Sequence, residues 1–211
     1  PILGASGSGK TTLVKLLLGY FAPTSGNIFL GDTPLQDYDM TSWRHSCGVV
    51  LQDSHVFSES LARNIAVEDK HIDRTRLRTA ARQANLEEFI EKLPLKYQTM
   101  VGAEGVGLSR GQEQRIFIAR ALYKDPSFVF LDEATNSLDA NNERIITGNL
   151  LDFCKGRTVL IVAHRLSTIR HADKIVVLHK GRIVEEGTHD ELCARHGHYY
   201  ELINNQLIAM G

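Results

Sequence analysis

The segment Gly4-Ala5-Ser6-Gly7-Ser8-Gly9-Lys10-Thr11-Thr12 places glycines, a lysine and two threonines at the spacing of a phosphate-binding loop. Glycines let the backbone turn tightly enough to aim successive N–H groups at phosphate oxygens. A following helix N-terminus adds positive potential, and Lys10 brings a mobile charge to the β- and γ-phosphates. Thr11 offers a hydroxyl to Mg²⁺. A second candidate is Phe128-Val129-Phe130-Leu131-Asp132-Glu133, an apolar run ending in two carboxylates. In a parallel sheet, ligands bind beyond the carboxyl ends of the strands, so Asp132 can hold Mg²⁺ through water while Glu133 reaches a water near the γ-phosphate. An acidic turn or helix cap looks similar in isolation, and the upstream phosphate loop weighs against that reading.

Short β-branched runs alternating with helical patterns must position these residues, which predicts an α/β chain built on a parallel sheet. Strands are expected at Asn27 to Leu30, Gly48 to Leu51, Ser127 to Leu131, Thr158 to Ala163, Lys174 to Leu178 and Arg182 to Glu185. Helices are expected at Lys10 to Leu18, Arg74 to Ala84, Arg110 to Tyr123, Asn142 to Phe153 and His189 to Ala194, with a last amphipathic helix over Tyr199 to Ala209. Between Leu51 and Ser127 the strands stop and helices take over, as in a helical subdomain inserted into a nucleotide-binding core.

The 211 residues suffice for one such domain, and 43% hydrophobic content supports a core. A net charge of −1 gives no electrostatic reason to bind nucleic acid or an anionic membrane surface. The longest apolar stretch, Thr158 to Ala163, is far below the roughly 20 residues that span a bilayer, so this piece is expected to be soluble. Pro1-Ile2-Leu3 reads as the end of a strand whose earlier part is missing, and the chain therefore as a fragment. Cys47, Cys154 and Cys193 are few, odd in number and scattered, which suits reduced thiols better than a disulfide framework. Cys193, His196 and His198 could approach a metal, but a polar turn before the last helix is the stronger reading without a fourth ligand.

Further motifs complete the pattern. Gly107-Leu108-Ser109-Arg110-Gly111-Gln112-Glu113-Gln114-Arg115 resembles the signature motif, usually LSGGQ, of ATP-binding-cassette (ABC) ATPases. Gln52 after Gly48 to Leu51 resembles the Q-loop, Ser137-Leu138-Asp139 the D-loop, and His164 after Ile161-Val162-Ala163 the switch histidine, all in the family's order. Gln52 or His164 alone would be an ordinary polar residue at a strand end; their ordered company reverses that. The resemblance implies a P-loop NTPase core over 1–52 and 116–211, a helical subdomain over about 53–115, and a small antiparallel β part that is truncated here. It implies that ATP and Mg²⁺ bind at Gly4 to Thr12, that Thr11, Gln52 and Asp132 serve the metal, and that Glu133, His164 and Gln52 serve hydrolysis. Ser109, Gly111 and Gln112 would reach the γ-phosphate held by a second ABC ATPase domain in a head-to-tail dimer, expected to be a homodimer, with Asp139 organising the seam.

The segment 51–58 with Asn64-Ile65 resembles exporters. The phrases 102–109, 136–143, and Tyr199 to Leu202 with Asn205 to Leu207 resemble peptidase-containing bacteriocin and peptide exporters. The expected setting is a motor domain on the cytoplasmic face of the inner or plasma membrane, joined to a transmembrane domain of the same parent chain that contacts the transported substrate. Multidrug or lipid export is the alternative. A soluble ABC ATPase acting on nucleic acid is disfavoured, because no basic stripe appears and the stretch from Gln52 to Ser109 is too short for a long coiled-coil arm. Three departures stand out. Arg110 replaces the signature's first glycine, and the sequence leaves open whether it contacts phosphate, solvent or the subdomain. Ala103 stands where many exporters have glutamate, with Glu104 next to it, and the adenine-stacking aromatic would lie upstream of Pro1.

Overall fold

The computed structural model describes residues 1–162, 169, 170 and 172–209, with side chains through Asn205. Two compact units emerge, Pro1–Arg44 with Val159–Gly211, and His45–Thr158. Among the described residues no helix is long and apolar enough to cross a membrane.

In the first unit the strands run in the order β6-β1-β7-β8, where β1 is Ile2–Leu3, β6 Thr158–Val162 (in this unit from Val159 on), β7 Ile175–His179 and β8 Arg182–Gly187. β1 is parallel to both neighbours, with Ile2 opposite Val162 and Val176, whereas β8 returns antiparallel to β7. Helix α1 (Lys10–Leu17) leaves the loop after β1 and ends in a Schellman turn. Gly19, at φ 70°, donates to Leu16 O, and Tyr20 N to Lys15 O. A hairpin of β2 (Phe29–Leu30) and β3 (Thr33–Pro34) follows, then α2 (Met40–His45), fixed by Trp43 Nε1 donating to Leu17 O at 3.0 Å. The core gathers Leu3, Ile175 and Val177 from the strands with Leu192 of α8 (His189–Arg195) and Tyr199 and Ile203 of α9 (His198–Ala209). Cys193, His196 and His198 go to three different partners: the His189 ring, the Tyr200 ring and the His179 ring.

The second unit is organised around α6 (Arg110–Lys124), whose residues Ile116 to Ala119 and Ala121 to Tyr123 are all buried. It packs on α3 (Leu61–Ile65), α4 (Arg74–Gln83) and β4 (Cys47–Val50). β4 pairs in parallel with β5 (Phe128–Asp132), Cys47 opposite Phe128 through Val50 opposite Leu131. Helices α5 (Glu87–Glu91) and α7 (Ala140–Cys154) complete the unit. Helices do take over between β4 and β5. The sequence reading passed over α2, α3 and α5, each of five or six residues and too short to display a 3.6-residue period. α3 stands on its Ser60 N-cap, which accepts from Arg63 N, and on burial of Leu61, Ala62, Asn64 and Ile65.

Candidate functional site

In the first unit, residues 4–9 form a tight loop at the carboxyl end of β1. A Cβ at Gly4 would lie 2.4 Å from both Leu178 O and Ser8 Oγ, so no side chain fits there. Gly7 and Gly9 take φ of 76° and 100°, the left-handed region that costs other residues about 1–2 kcal/mol. Gly9 is the N-cap of α1 and brings no side chain to its amides, and no acidic residue occupies the first turn. A helix start without a side-chain cap or an acidic first turn is a favourable place for an anion. Lys10 is only 7% exposed; its Nζ donates to Gly4 O at 2.7 Å and Ala5 O at 3.0 Å, arching over the loop. Ser8 Oγ is buried without a hydrogen-bond partner among the described residues, an orphaned polar atom within a cradle of glycines. The loop is braced by the β7–β8 turn, where Lys180 and Gly181 adopt φ of 48° and 77° and Gly181 N donates to Ser8 O at 3.1 Å. Sequence reasoning assigned this brace no role. Its signal was Lys180-Gly181 between two apolar runs, the mark of a two-residue hairpin.

In the second unit, the parallel register brings Gln52 and Asp132 to one end. Gln52 lies two residues beyond Val50, and Asp132 one beyond the opposing Leu131. Asp132 is 2% exposed, a hard oxygen donor at a strand's carboxyl end, whereas Gln52 is exposed. Glu133 turns off the strand at φ 54°, which separates its side chain from that of Asp132. Asn136 Nδ2 donates to its Oε2 at 2.8 Å. The glycine-rich loop belongs to the other unit, and His164 lies outside the described residues.

Ser109 is the N-cap of α6 in a complete capping box: Gln112 N donates to Ser109 Oγ at 3.2 Å, and Ser109 N donates to Gln112 Oε1 at 2.8 Å. The Gln112 side chain is thereby committed to the cap. The Arg110 and Gly111 amides remain outside the box, and the Ser109 hydroxyl keeps its proton to donate. Arg110 and Glu104 are exposed. Asp139 caps α7, its Oδ1 accepting from Asn141 N at 3.1 Å and Asn142 N at 3.0 Å; these bonds, led by the Asn142 amide, hold its carboxyl below the usual range. Between the two caps lies a cation that sequence reasoning did not single out. Arg115 donates to Gly111 O, Asn85 O and Asn142 Oδ1, and burial lowers its pKa from the ordinary value.

A family model described as "ABC transporter" matches residues 1–136. Over 201 residues the chain is 47% identical to an ATP-dependent lipid A-core flippase of Chromohalobacter salexigens, covering 95% of this chain and 35% of that protein. It is 47% identical over 193 residues to the Toxin RTX-I translocation ATP-binding protein of Actinobacillus pleuropneumoniae, covering 92% and 27%. Among solved structures, a bacterial Atm1-family ABC exporter with ATP bound matches with a TM-score of 0.91 at 39% identity, over 97% of this chain and 36% of that one. The chain thus spans about a third of the length of the curated relatives it matches.

Proposed function

We infer that this chain, which belongs to the ABC transporter family, works as the ATP-binding and ATP-hydrolysing motor of an exporter. The observation that carries the reading is the cradle at the β1–α1 junction: Gly4 closed to any Cβ, left-handed Gly7 and Gly9, an uncapped α1 and Lys10 arched over the loop. In this reading Gly4, Ala5, Ser6, Gly7, Ser8 and Gly9 turn amides toward the phosphates, and Lys10, Thr11 and Thr12 add a cation and hydroxyls. Mg²⁺, when bound by Thr11, Gln52 and Asp132, supplies charge neutralisation at the phosphates, and the 2% exposure of Asp132 suits a hard cation. Glu133 takes the proton of the attacking water, and its left-handed backbone turns it away from the Asp132 metal ligand. His164 and Gln52 are assigned to the γ-phosphate and the water. We assign 1–52 and 116–211 to the ATPase core and about 53–115 to the helical subdomain.

The reading extends to a head-to-tail homodimer in which Ser109 and Gly111 of one copy face the γ-phosphate of the other, Gln112 acts there by holding the Ser109 cap, and Asp139 sits at the seam. The α6 N-terminus supports it, because the Arg110 and Gly111 amides and the Ser109 proton lie outside the capping box. The partner beyond that copy is a transmembrane domain of the parent chain, at the cytoplasmic face of the inner or plasma membrane. The finer reading, peptide or bacteriocin export with an upstream peptidase, rests on the wording of 102–109, 136–143 and 199–207. Relatives named for lipid A-core and for an RTX toxin match at the same 47% identity, which supports assigning cargo choice to parts of the transporter other than this motor. Purifying the full-length protein and measuring phosphate release with Mg-ATP tests the motor reading. Turnover abolished by Lys10→Ala supports it, and turnover indifferent to Lys10→Ala refutes it.

A further inference from the structure

The start of α6 and the 137–142 loop are separate in sequence yet meet in two independent ways within the second unit. One contact is steric: a Cβ at Gly111 would stand 3.3 Å from Ser137 O, so the first turn of α6 and the loop before α7 touch backbone to backbone. The other is polar and runs through the Arg115 guanidinium. Its Nε donates to Gly111 O at 3.2 Å, and one terminal nitrogen donates to Asn85 O at 2.6 Å and reaches Asn142 Oδ1 at 3.4 Å. Asn85 holds the left-handed conformation (φ 54°) just after α4, and its Nδ2 donates to the same Asn142 Oδ1 at 2.8 Å. Asn142 Nδ2 then donates to Asp139 Oδ2 at 2.5 Å. Asn142 Oδ1 accepts from both Arg115 and Asn85, and the planar fork of Arg115 serves Gly111 and Asn142 together.

We propose that Arg115 is a positioning residue that locks the first turn of α6 and the Asp139 loop into one frame, so that the two move as a single body. Arg115 touches no substrate atom in this proposal. It acts through Gly111 O on the α6 amides and through Asn142 on Asp139. A lysine offers a compact point charge in place of the fork, and cannot hold both ends. The kinetic consequence rests on the ATP-hydrolase reading above; the mechanical one does not.

Hydrogen exchange on the full-length protein, without nucleotide, tests the frame directly. Arg115→Ala is expected to speed exchange of amides 137–142 by roughly tenfold or more, and Asn142→Ala to do the same at 109–112, while amides 4–12 are unchanged. Asn142→Ala leaves the Arg115 bonds to Gly111 and Asn85 in place, so it carries the test if Arg115→Ala fails to fold. In phosphate release, Arg115→Ala and Arg115→Lys should both lower kcat by about tenfold with KM for ATP unchanged, and Arg115→Ala/Asn142→Ala should be no worse than the poorer single variant. Acceleration confined to α6, an indifferent 109–112 segment in Asn142→Ala, additive kinetic losses or full rescue by lysine would each overturn the proposal. Coupled exchange in a protein that shows no ATP turnover would leave the frame standing and remove the motor reading instead.

Discussion

The glycine-rich loop of the first unit and the α6–Asp139 frame of the second are built by opposite means. Lys10 bonds to carbonyls five and six residues away, and the loop is otherwise backbone conformation chosen by glycine, with one distant brace from Gly181 N to Ser8 O. In the second unit Arg115 reaches 30 residues to Asn85 and 27 to Asn142, and Asn85 reaches 57 to Asn142. A mainly local device takes its shape from a few consecutive residues, and needs the distant turn only as a brace. A frame assembled across distant segments exists only once the unit has folded, and it can be disturbed from several places at once.

The largest expected effects fall on residues assigned to chemistry, and they sharpen the contrast by failing differently. Glu133→Gln keeps the shape and the hydrogen bond from Asn136 but removes the charge that favours proton transfer. Hydrolysis should drop by roughly 10²–10⁴-fold while ATP still binds. Lys10→Ala should instead lose ATP affinity, with folding stability little changed because the loop's backbone is set by glycines. Nucleotide titration beside phosphate release separates the two. Wild-type turnover in Glu133→Gln would remove that residue from the catalytic role.

Next in size is a test of how far the second unit depends on distant ties. Arg120 of α6 donates to Asn64 O at 2.8 Å and lies over the rings of Phe57 and Phe117 at 5.1 and 5.4 Å. Asn64 in turn clasps Phe57, accepting from its N at 2.8 Å and donating to its O at 2.9 Å. Burial lowers the Arg120 pKa to about 10, which leaves it charged at neutral pH. Arg120→Ala strands the Asn64 carbonyl and opens a cavity, and should cost about 2–4 kcal/mol of stability. Urea denaturation measures it. A loss under about 0.5 kcal/mol would show that 55–64 holds its shape without the arginine.

The same contrast explains what could be read from the chain alone. The local geometry of the glycine-rich loop, the Asp132-Glu133 strand end and the α6 start was legible because each is a contiguous run whose residue types state their own conformation. The strands β4 to β8 were placed within about two residues for the same reason. Arg115, Asn85 and Arg120 were invisible, since an arginine in a helix and an asparagine after one have many exposed uses, and only the fold shows which carbonyls they meet. Gln112 illustrates the converse. Its place in the motif suggested phosphate contact, whereas the S-x-x-Q spacing of a capping box was equally present and governs its side chain in the structure.

A pH titration compares the units by the buried acid that is shifted furthest in each. Burial pushes the Cys47 thiol from 9.0 up to about 12 in the second unit, and the Tyr199 phenol from 10.0 up to about 12 in the first. Both groups are acids that stay protonated longer when folded. Their stabilising contribution is complete below the unfolded value and is lost as pH rises toward the folded one. The second unit should therefore weaken from about pH 9 and the first from about pH 10. In a denaturation series across this range, Cys47→Ala should lessen the loss of stability above about pH 9, with the raised Cys154 thiol of the same unit accounting for a remainder, and an unchanged loss would dissociate Cys47 from alkaline unfolding.

The smallest effect is expected at Arg110, and it isolates what the frame needs from what merely adjoins it. Arg110 is the first residue of α6 and is exposed, five positions before the half-buried Arg115. A cation at a helix N-terminus opposes the macrodipole by roughly 0.3–1 kcal/mol, yet it raises the positive potential felt by an anion approaching the Gly111 amide. These two consequences oppose each other. The amides and the Ser109 hydroxyl already supply the anion's hydrogen bonds, so the side chain adds charge without a required ligand. Arg110→Gly should consequently change the ATPase rate by less than about tenfold, equivalent to roughly 1.4 kcal/mol in barrier, and should leave the exchange of amides 137–142 as it is. A rate loss as large as that of Lys10→Ala would make Arg110 a primary phosphate ligand. The first turn of α6 would then resemble the phosphate loop, a local device with its own cation, more than a frame held from a distance.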